Sequence, residues 1–343
     1  MGQERVRTME ELASVSGVSR PTLSKYFNDP TSVRATTRAR IEAALERYDY
    51  TPNVYAINQN RHLTRNIGIV VPFLADPFFA EVARNLELRC SGAGFNPILL
   101  SSHGDPDREI ENLESLRGIR PAGVLLAPIG RRSHHQALNA FCQNVPTVLF
   151  DCDVDDVGDA MFGTDHLQST GIIVEYLART GDPPALFEMA NAPNPNANKR
   201  RAAYEATMRR LGHEPMLLAA DGAGWSFEEI AHREAGRMIA QRRLPTDTIL
   251  CSNDRLAIGF LAAAYEKGLR VGIGEGHALR VAGHDDHPFS RFTCPSLTTV
   301  SQNYDQISGR SLEQLLSIIA SGERPQTKRS TLFDASVVMR KSA

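Results

Sequence analysis

From residue 66 onward the chain alternates short apolar runs with longer amphipathic stretches. "IGIVVP", "NPILLS", "GVLLAP" and "TVLF" are continuous apolar runs of strand length. Between them, "FFAEVARNLELRCSGAG", "REIENLESL" and "HHQALNAFCQ" repeat their apolar positions with a helical period. After a loop at about 153–164 the alternation restarts. "STGIIVEYLART", "KRRAAYEATMRRLG", "EEIAHREAGRMIAQRR" and "LAIGFLAAAYEKG" read as helices, and "PALFEM", "TILCS" and "LRVAG" as strands. Apolar strands alternating with helices predict parallel sheets covered on both faces. Two such sets predict two α/β lobes, each a doubly wound parallel sheet. A small ligand is then expected between them, beyond the carboxyl ends of the strands.

The first 50 residues have a different texture. Thr8 and Glu11 have capping-box spacing at the start of a short helix. Leu12, Ala13 and Val15 are expected to face inward. Gly17 ends the helix in a tight turn, and Val18 plugs the corner. Ser19 is expected to cap a second helix, which tolerates Pro21 in its first turn. Leu23 and Phe27, spaced i and i+4, face inward, leaving Arg20, Pro21, Ser24 and Lys25 outward. A third helix runs from about Ala35 to Tyr48, with Ile41, Ala44 and Leu45 as its buried stripe. Helix, glycine turn, capped helix is the helix-turn-helix pattern. Its small hydroxyls and helix N-terminus suit phosphates, and its longer side chains reach base edges.

Charge supports this division. Residues 1–65 hold ten Lys/Arg against seven Asp/Glu, and the remainder 28 against 33. A basic head on an acidic body fits a polyanion-binding head. The 343 residues are 42% hydrophobic and 23% charged, as in ordinary globular chains. No apolar run reaches membrane-spanning length, and "MGQERVRTMEE" has no apolar signal core. Five scattered cysteines without CxxC spacing favour a reduced, cytoplasmic setting over a disulfide framework or a zinc site.

Polar residues sit where the strand-end rule asks. Asp76 follows the first strand of the first set, Asp151 follows "TVLF", Asn253 and Asp254 follow "TILCS", and Asp285 follows "LRVAG". A single such residue is more often a helix cap or loop residue than a ligand contact; four together favour a site. No dinucleotide, P-loop, nucleophile-elbow or HExxH motif occurs, so neither a cofactor nor an enzyme activity is expected. "HDDH" at 284–287 is not expected to hold a metal, because consecutive residues of an extended segment point to opposite sides.

"MEELASVSGVSRPTLSKYFND…VRATTRARIEAALERYDYTPN" resembles the DNA-binding head of the lac repressor family of bacterial regulators. Ala13, Gly17, Val18, Ser19, Thr22, Ser24, Asn28, Val33, Thr37, Arg38, Tyr50, Pro52 and Asn53 fall at the family's spacings. The core resembles that family and related periplasmic sugar-binding proteins at Asp76-Pro77-Phe78-Phe79, Asp151, Arg200, Asn253 to Gly259, Gly283 to Asp286, and Thr298 to Gln302. The resemblance implies a homodimer on palindromic operator DNA, repressing transcription under control of a sugar, polyol or sugar acid. It implies DNA contacts from Ser19, Arg20, Pro21, Thr22, Ser24, Lys25, Asn28 and Gln59. It implies effector contacts from Asp76, Phe78, Phe79, Asp151, Arg200, Trp225, Asn253, Asp285 and Gln302. Trp225 serves core packing as readily as ligand stacking. The implied organisation is a DNA-binding domain at 1–52, a hinge at 53–65 and a core at 66–343. Lobe one takes about 66–164 and 296–325, lobe two about 165–295 and 326–343. Gln59 stands where the family carries a minor-groove leucine, which implies a weaker operator bend. A periplasmic-type sugar-binding protein is the alternative; it would share the core and lack the head.

Overall fold

The structure is a computed structural model and describes residues 4–50 and 64–343. It divides into two compact units, Met1–Thr64 and Arg65–Ala343. The hinge residues 53–63, Gln59 among them, lie outside the described residues.

In the first unit, helix α1 spans Met9–Ser16, α2 Arg20–Asn28 and α3 Ala35–Arg47. Strands β1, Glu4–Arg5, and β2, Tyr48–Asp49, pair in parallel and bring the two ends of the head together. The Thr8–Glu11 capping box forms, with the Glu11 amide donating to Thr8 Oγ1 at 3.1 Å. Gly17 takes φ +63, the left-handed conformation that a side chain resists. Arg40 of α3 donates to the carbonyls of Ser16 and Gly17 at 3.1 and 2.7 Å, so the turn is held from outside. Leu12, Val18, Leu23, Ile41 and Ala44 are buried in one cluster with Val6.

Two expectations for the head need correction. Val15 is exposed, and Ser16 is buried in its stead, its hydroxyl donating back to the Leu12 carbonyl at 2.6 Å. Ser19 sits at the N-cap of α2 without a capping hydrogen bond; its hydroxyl pairs with that of Thr22 at 2.8 Å.

The second unit holds two parallel sheets. The six-stranded sheet has the order β4-β3-β5-β6-β7-β13, with β3 Asn66–Val71, β4 Asn96–Ser101, β5 Gly123–Leu126, β6 Thr147–Phe150, β7 Ala160–Thr164 and β13 Arg329–Phe333. Helices α4, Pro77–Gly92, and α11, Tyr304–Ser321, pack on one face. Helices α5, Pro106–Gly118, and α6, His135–Asn144, pack on the other. The four-stranded sheet has the order β11-β10-β8-β9, with β8 Ala185–Met189, β9 Leu217–Ala220, β10 Thr248–Cys251 and β11 Arg280–Ala282. Helices α7, His166–Thr180, and α8, Asn196–Arg210, cover one face. Helices α9, Phe227–Ala240, and α10, Asp254–Glu266, cover the other. Strands β3, β5 and β6 are buried almost throughout, which is why they read as continuous apolar runs.

The lobe assignment near the C-terminus also needs correction. β12, Thr299–Ser301, pairs antiparallel with β14, Ser336–Val338, and bridges join Thr298 to Ala282 and Ser301 to Asp285. Residues 298–301 therefore belong with the second lobe. β13 pairs with β7 and belongs with the first. The chain thus crosses between lobes three times, near residues 165, 302 and 334. Gln168 ties two crossings together, accepting from the Ala335 amide at 2.9 Å and donating to its carbonyl at 3.0 Å.

Candidate functional site

A small cavity of about 40 Å³ lies between the lobes beyond the carboxyl ends of the strands. As the lobes stand closed, it has about the space of a few waters. From the first lobe come Asp76, Phe78, Phe79 and Asp151; from the second come Asn194, Asn196, Arg200, Trp225, Ser252, Asn253 and Asp285, among others. Eight of the nine residues implied as effector contacts thus share one cavity. Gln302 is not on its wall. It stands behind, donating through Nε2 to Asp285 Oδ1 at 2.7 Å.

Asp285 is the hub. Its Oδ1 accepts from Arg200 Nη2 at 2.8 Å and from Gln302, with His284 Nδ1 at 3.2 Å. Burial pushes this carboxyl up, but the Arg200 guanidinium and the hydrogen bonds outweigh it and hold it below the usual range. Arg200 also donates to the Ser252 carbonyl at 2.6 Å, so its fork is fixed by two neighbours. His166 and His284 pack nearby and are kept neutral: burial and the positive charge of Arg200 push both down, His284 to about 4.

Asp151 has the opposite balance. It is buried, and burial pushes its carboxyl up to about 7 although Arg200 and Lys199 draw it down. Asn196 Nδ2 donates to its Oδ1 at 3.0 Å and to its carbonyl at 3.1 Å, linking the lobes on this side of the cavity. Both aspartates hold positive φ, +66 at Asp151 and +128 at Asp285. Such backbone strain in non-glycine residues concentrates at functional sites.

Asp76 and Asn253 do cap helices. Asp76 Oδ1 accepts from the Phe78 amide at 3.0 Å, and Asn253 Oδ1 from the Leu256 amide at 2.8 Å. Both nonetheless line the cavity. Trp225 does two jobs likewise: it lines the cavity and packs against the apolar clusters of both lobes. Asn194, Asn196, Phe227 and Ser252 were not singled out in the sequence. Asn196 opens α8 one turn before Arg200, a placement that only the helix boundary exposes.

In the head, Arg20, Pro21 and Lys25 are exposed on α2, while Thr22 and Ser24 are half-buried. Arg20 pairs with Glu10 at 3.0 Å, with both side chains about 60% exposed, so the pair is free to exchange for another partner. The side chain of Asn28 lies outside the described residues. Among the described residues, no group of His, Cys, Asp or Glu has metal-binding geometry, and no helix is long and apolar enough to cross a membrane.

Residues 8–53 match the bacterial regulatory proteins of the lacI family, and residues 174–343 match the periplasmic binding protein-like domain. The ribose operon repressor of Escherichia coli (strain K12) is 27% identical over 311 residues, 90% of this chain and 92% of that protein. The HTH-type transcriptional repressor PurR of Mannheimia succiniciproducens is 28% identical over 346 residues, 98% of each chain. A crystal structure of the lac repressor dimer bound to operator and the anti-inducer ONPF shares the fold, with a TM-score of 0.83 over 98% of both chains at 24% identity. The chain thus joins a lacI-family DNA-binding head to a periplasmic binding protein-like core, the organisation of a DNA-binding transcriptional regulator. These relatives are transcriptional repressors, not enzymes.

Proposed function

We propose that this chain is a non-enzymatic, cytoplasmic repressor. It binds a palindromic operator as a homodimer, and an uncharged polyhydroxy effector between its lobes controls operator affinity. The observation that carries the effector class is the Arg200–Asp285 pair. The guanidinium already faces a carboxylate, and Asp151 adds an acceptor on the facing lobe. Such a wall offers acceptors and fixed donors to hydroxyls, while Trp225, Phe78 and Phe227 supply apolar faces for C–H groups. A sugar acid would bring its carboxylate towards Asp151 and Asp285, and Arg200, the cation among the described residues of the wall, is already paired with Asp285, so neutral sugars and polyols fit better.

Two further features support the reading. Large apolar side chains stand exposed on the core, Leu88 on α4 and Leu99 on β4 in one lobe, Tyr265, Phe289 and Phe292 in the other, as a homodimer interface needs. A periplasmic-type binding protein would share the cavity, but the capped helix-turn-helix head gives the DNA role its own machinery. The test is a thermal-shift screen of neutral sugars, polyols and their acid counterparts. A gel shift follows on the gene's upstream DNA with each stabilising compound. Stabilisation by neutral compounds that also change the gel shift supports the reading. Stabilisation only by acids overturns the effector class, and no shift of any DNA overturns the repressor reading.

A further inference from the structure

Across the cleft, the two lobes are joined by a charged pair that the family resemblance does not supply. Arg255, the second residue of α10, places Nη1 3.1 Å from Asp76 Oδ2 at the N-cap of α4. Each side chain is only 11% exposed. Arg255 is set in place from its own lobe before it reaches across. Its Nε and Nη2 form a two-pronged fork on Glu228 at 2.7 Å each, and its guanidinium lies over the Phe227 ring at 4.9 Å. Asp76 is set equally firmly by the Phe78 amide.

The apolar contact beside it crosses the same gap. Trp225 of the second lobe stacks on Phe73 of the first, ring centres 5.0 Å apart and planes 13° from parallel, and meets Phe79 edge-on. Gly104, at φ +72, makes room for the indole: a Cβ there would lie 2.5 Å from the indole nitrogen. A polar and an aromatic contact therefore close one rim of the cavity together.

We infer that Asp76 and Arg255 form an interlobe latch: they act as positioning residues that hold the cleft closed on the Trp225–Phe73 side and so gate entry to the cavity. Asp76 then belongs chiefly to the gate rather than to the ligand. Both of its oxygens have protein partners, one the Phe78 amide and the other Arg255. The inference goes beyond the effector reading and survives its failure, because it concerns the closing of the lobes and not what lies between them.

Trp225 is the chain's only tryptophan and sits on the moving contact, so its fluorescence reads the gate without any ligand. The experiment measures acrylamide quenching and emission maximum for the full chain, for Asp76→Asn, for Arg255→Gln and for the double variant. Asparagine keeps an oxygen for the Phe78 amide but presents a neutral donor instead of an acceptor to Arg255, so this variant carries the test if Arg255→Gln does not fold. The latch predicts a quenching constant at least twofold higher and a red-shifted emission in each single variant. The double variant should be no more quenched than the worse single, because the two residues act as one unit. Wild-type quenching in Asp76→Asn, or additive effects in the double variant, would overturn the latch.

Discussion

Gln302 joins the cavity to the crossings between the lobes. Its Nε2 donates to Asp285 Oδ1 at 2.7 Å, and its Oε1 accepts from the Thr164 hydroxyl at 2.5 Å. Thr164 ends β7 at the first crossing, Gln302 lies on the second, and Asp285 faces the cavity. A ligand that draws on Asp285 therefore acts on a residue bonded to two of the three chain crossings.

Gln302→Leu removes both bonds at similar volume. It leaves Asp285 with Arg200 and His284, and leaves Thr164 without an acceptor. The expected result is a fall in stability of roughly 1–3 kcal/mol from the orphaned polar groups. The effector-dependent change in operator affinity should also shrink several-fold while operator affinity in buffer stays near wild type. Equal effector response in variant and wild type, from DNA titrations with and without ligand, would remove Gln302 from the link.

Lys25 and Arg20 are the long exposed donors of α2. Such donors suit guanine O6 and N7 in the major groove. Lys25→Ala is expected to relax base preference at one half-site position and to cost about 1–3 kcal/mol per half-site. Binding to a set of single-base operator variants checks it. A uniform loss across all sequences would make Lys25 a phosphate contact instead.

Much of this was legible because the physics was local. Capping-box spacing, the glycine turn and the buried stripes of α2 and α3 need only neighbouring residues, and they stand as read. The strand-end aspartates were legible because parallel sheets put ligands there. The misses are non-local or short. β7, "AMFGT", is five residues long and contains a glycine, so it reads as loop. β9 has only four residues, two of them exposed, and carries no strong pattern. β13 and β14 are separated by two residues yet join different lobes, which no periodicity can announce. Val15 was misplaced because α1 has only eight residues, too few for its inward face to be fixed by period alone. Arg255 was invisible as a latch, since its partner Asp76 is 179 residues away.

Asp151 makes a pH-dependent contribution whose sign follows from its raised folded-state value of about 7. A carboxyl raised on folding contributes stability that is complete below its unfolded value near 4 and is lost as pH rises through about 7. His166 and His284, pushed down by burial, work in the opposite sense below their unfolded value, so the wild-type curve alone is not diagnostic. The informative quantity is the difference from Asp151→Asn. Between pH 4 and 7 the variant should gain on wild type, with a limiting slope of about 1.4 kcal/mol per pH unit. Denaturant unfolding at several pH values measures it, and parallel curves for the two proteins would show that Asp151 stays ionised throughout.

Occupancy of the cavity and affinity for DNA are expected to be thermodynamically linked. Linkage is reciprocal: an effector that weakens or strengthens DNA binding has its own affinity changed by the same factor. The most direct measurement is fluorescence anisotropy of a labelled upstream operator titrated with protein, with and without the compound that most stabilises the core, for wild type and for Asp285→Ala. The expected change in wild-type operator Kd is about 5–150-fold, absent in Asp285→Ala, whose Kd without compound stays near wild type. An operator Kd that the compound leaves unchanged in wild type, although it binds the core, would contradict it.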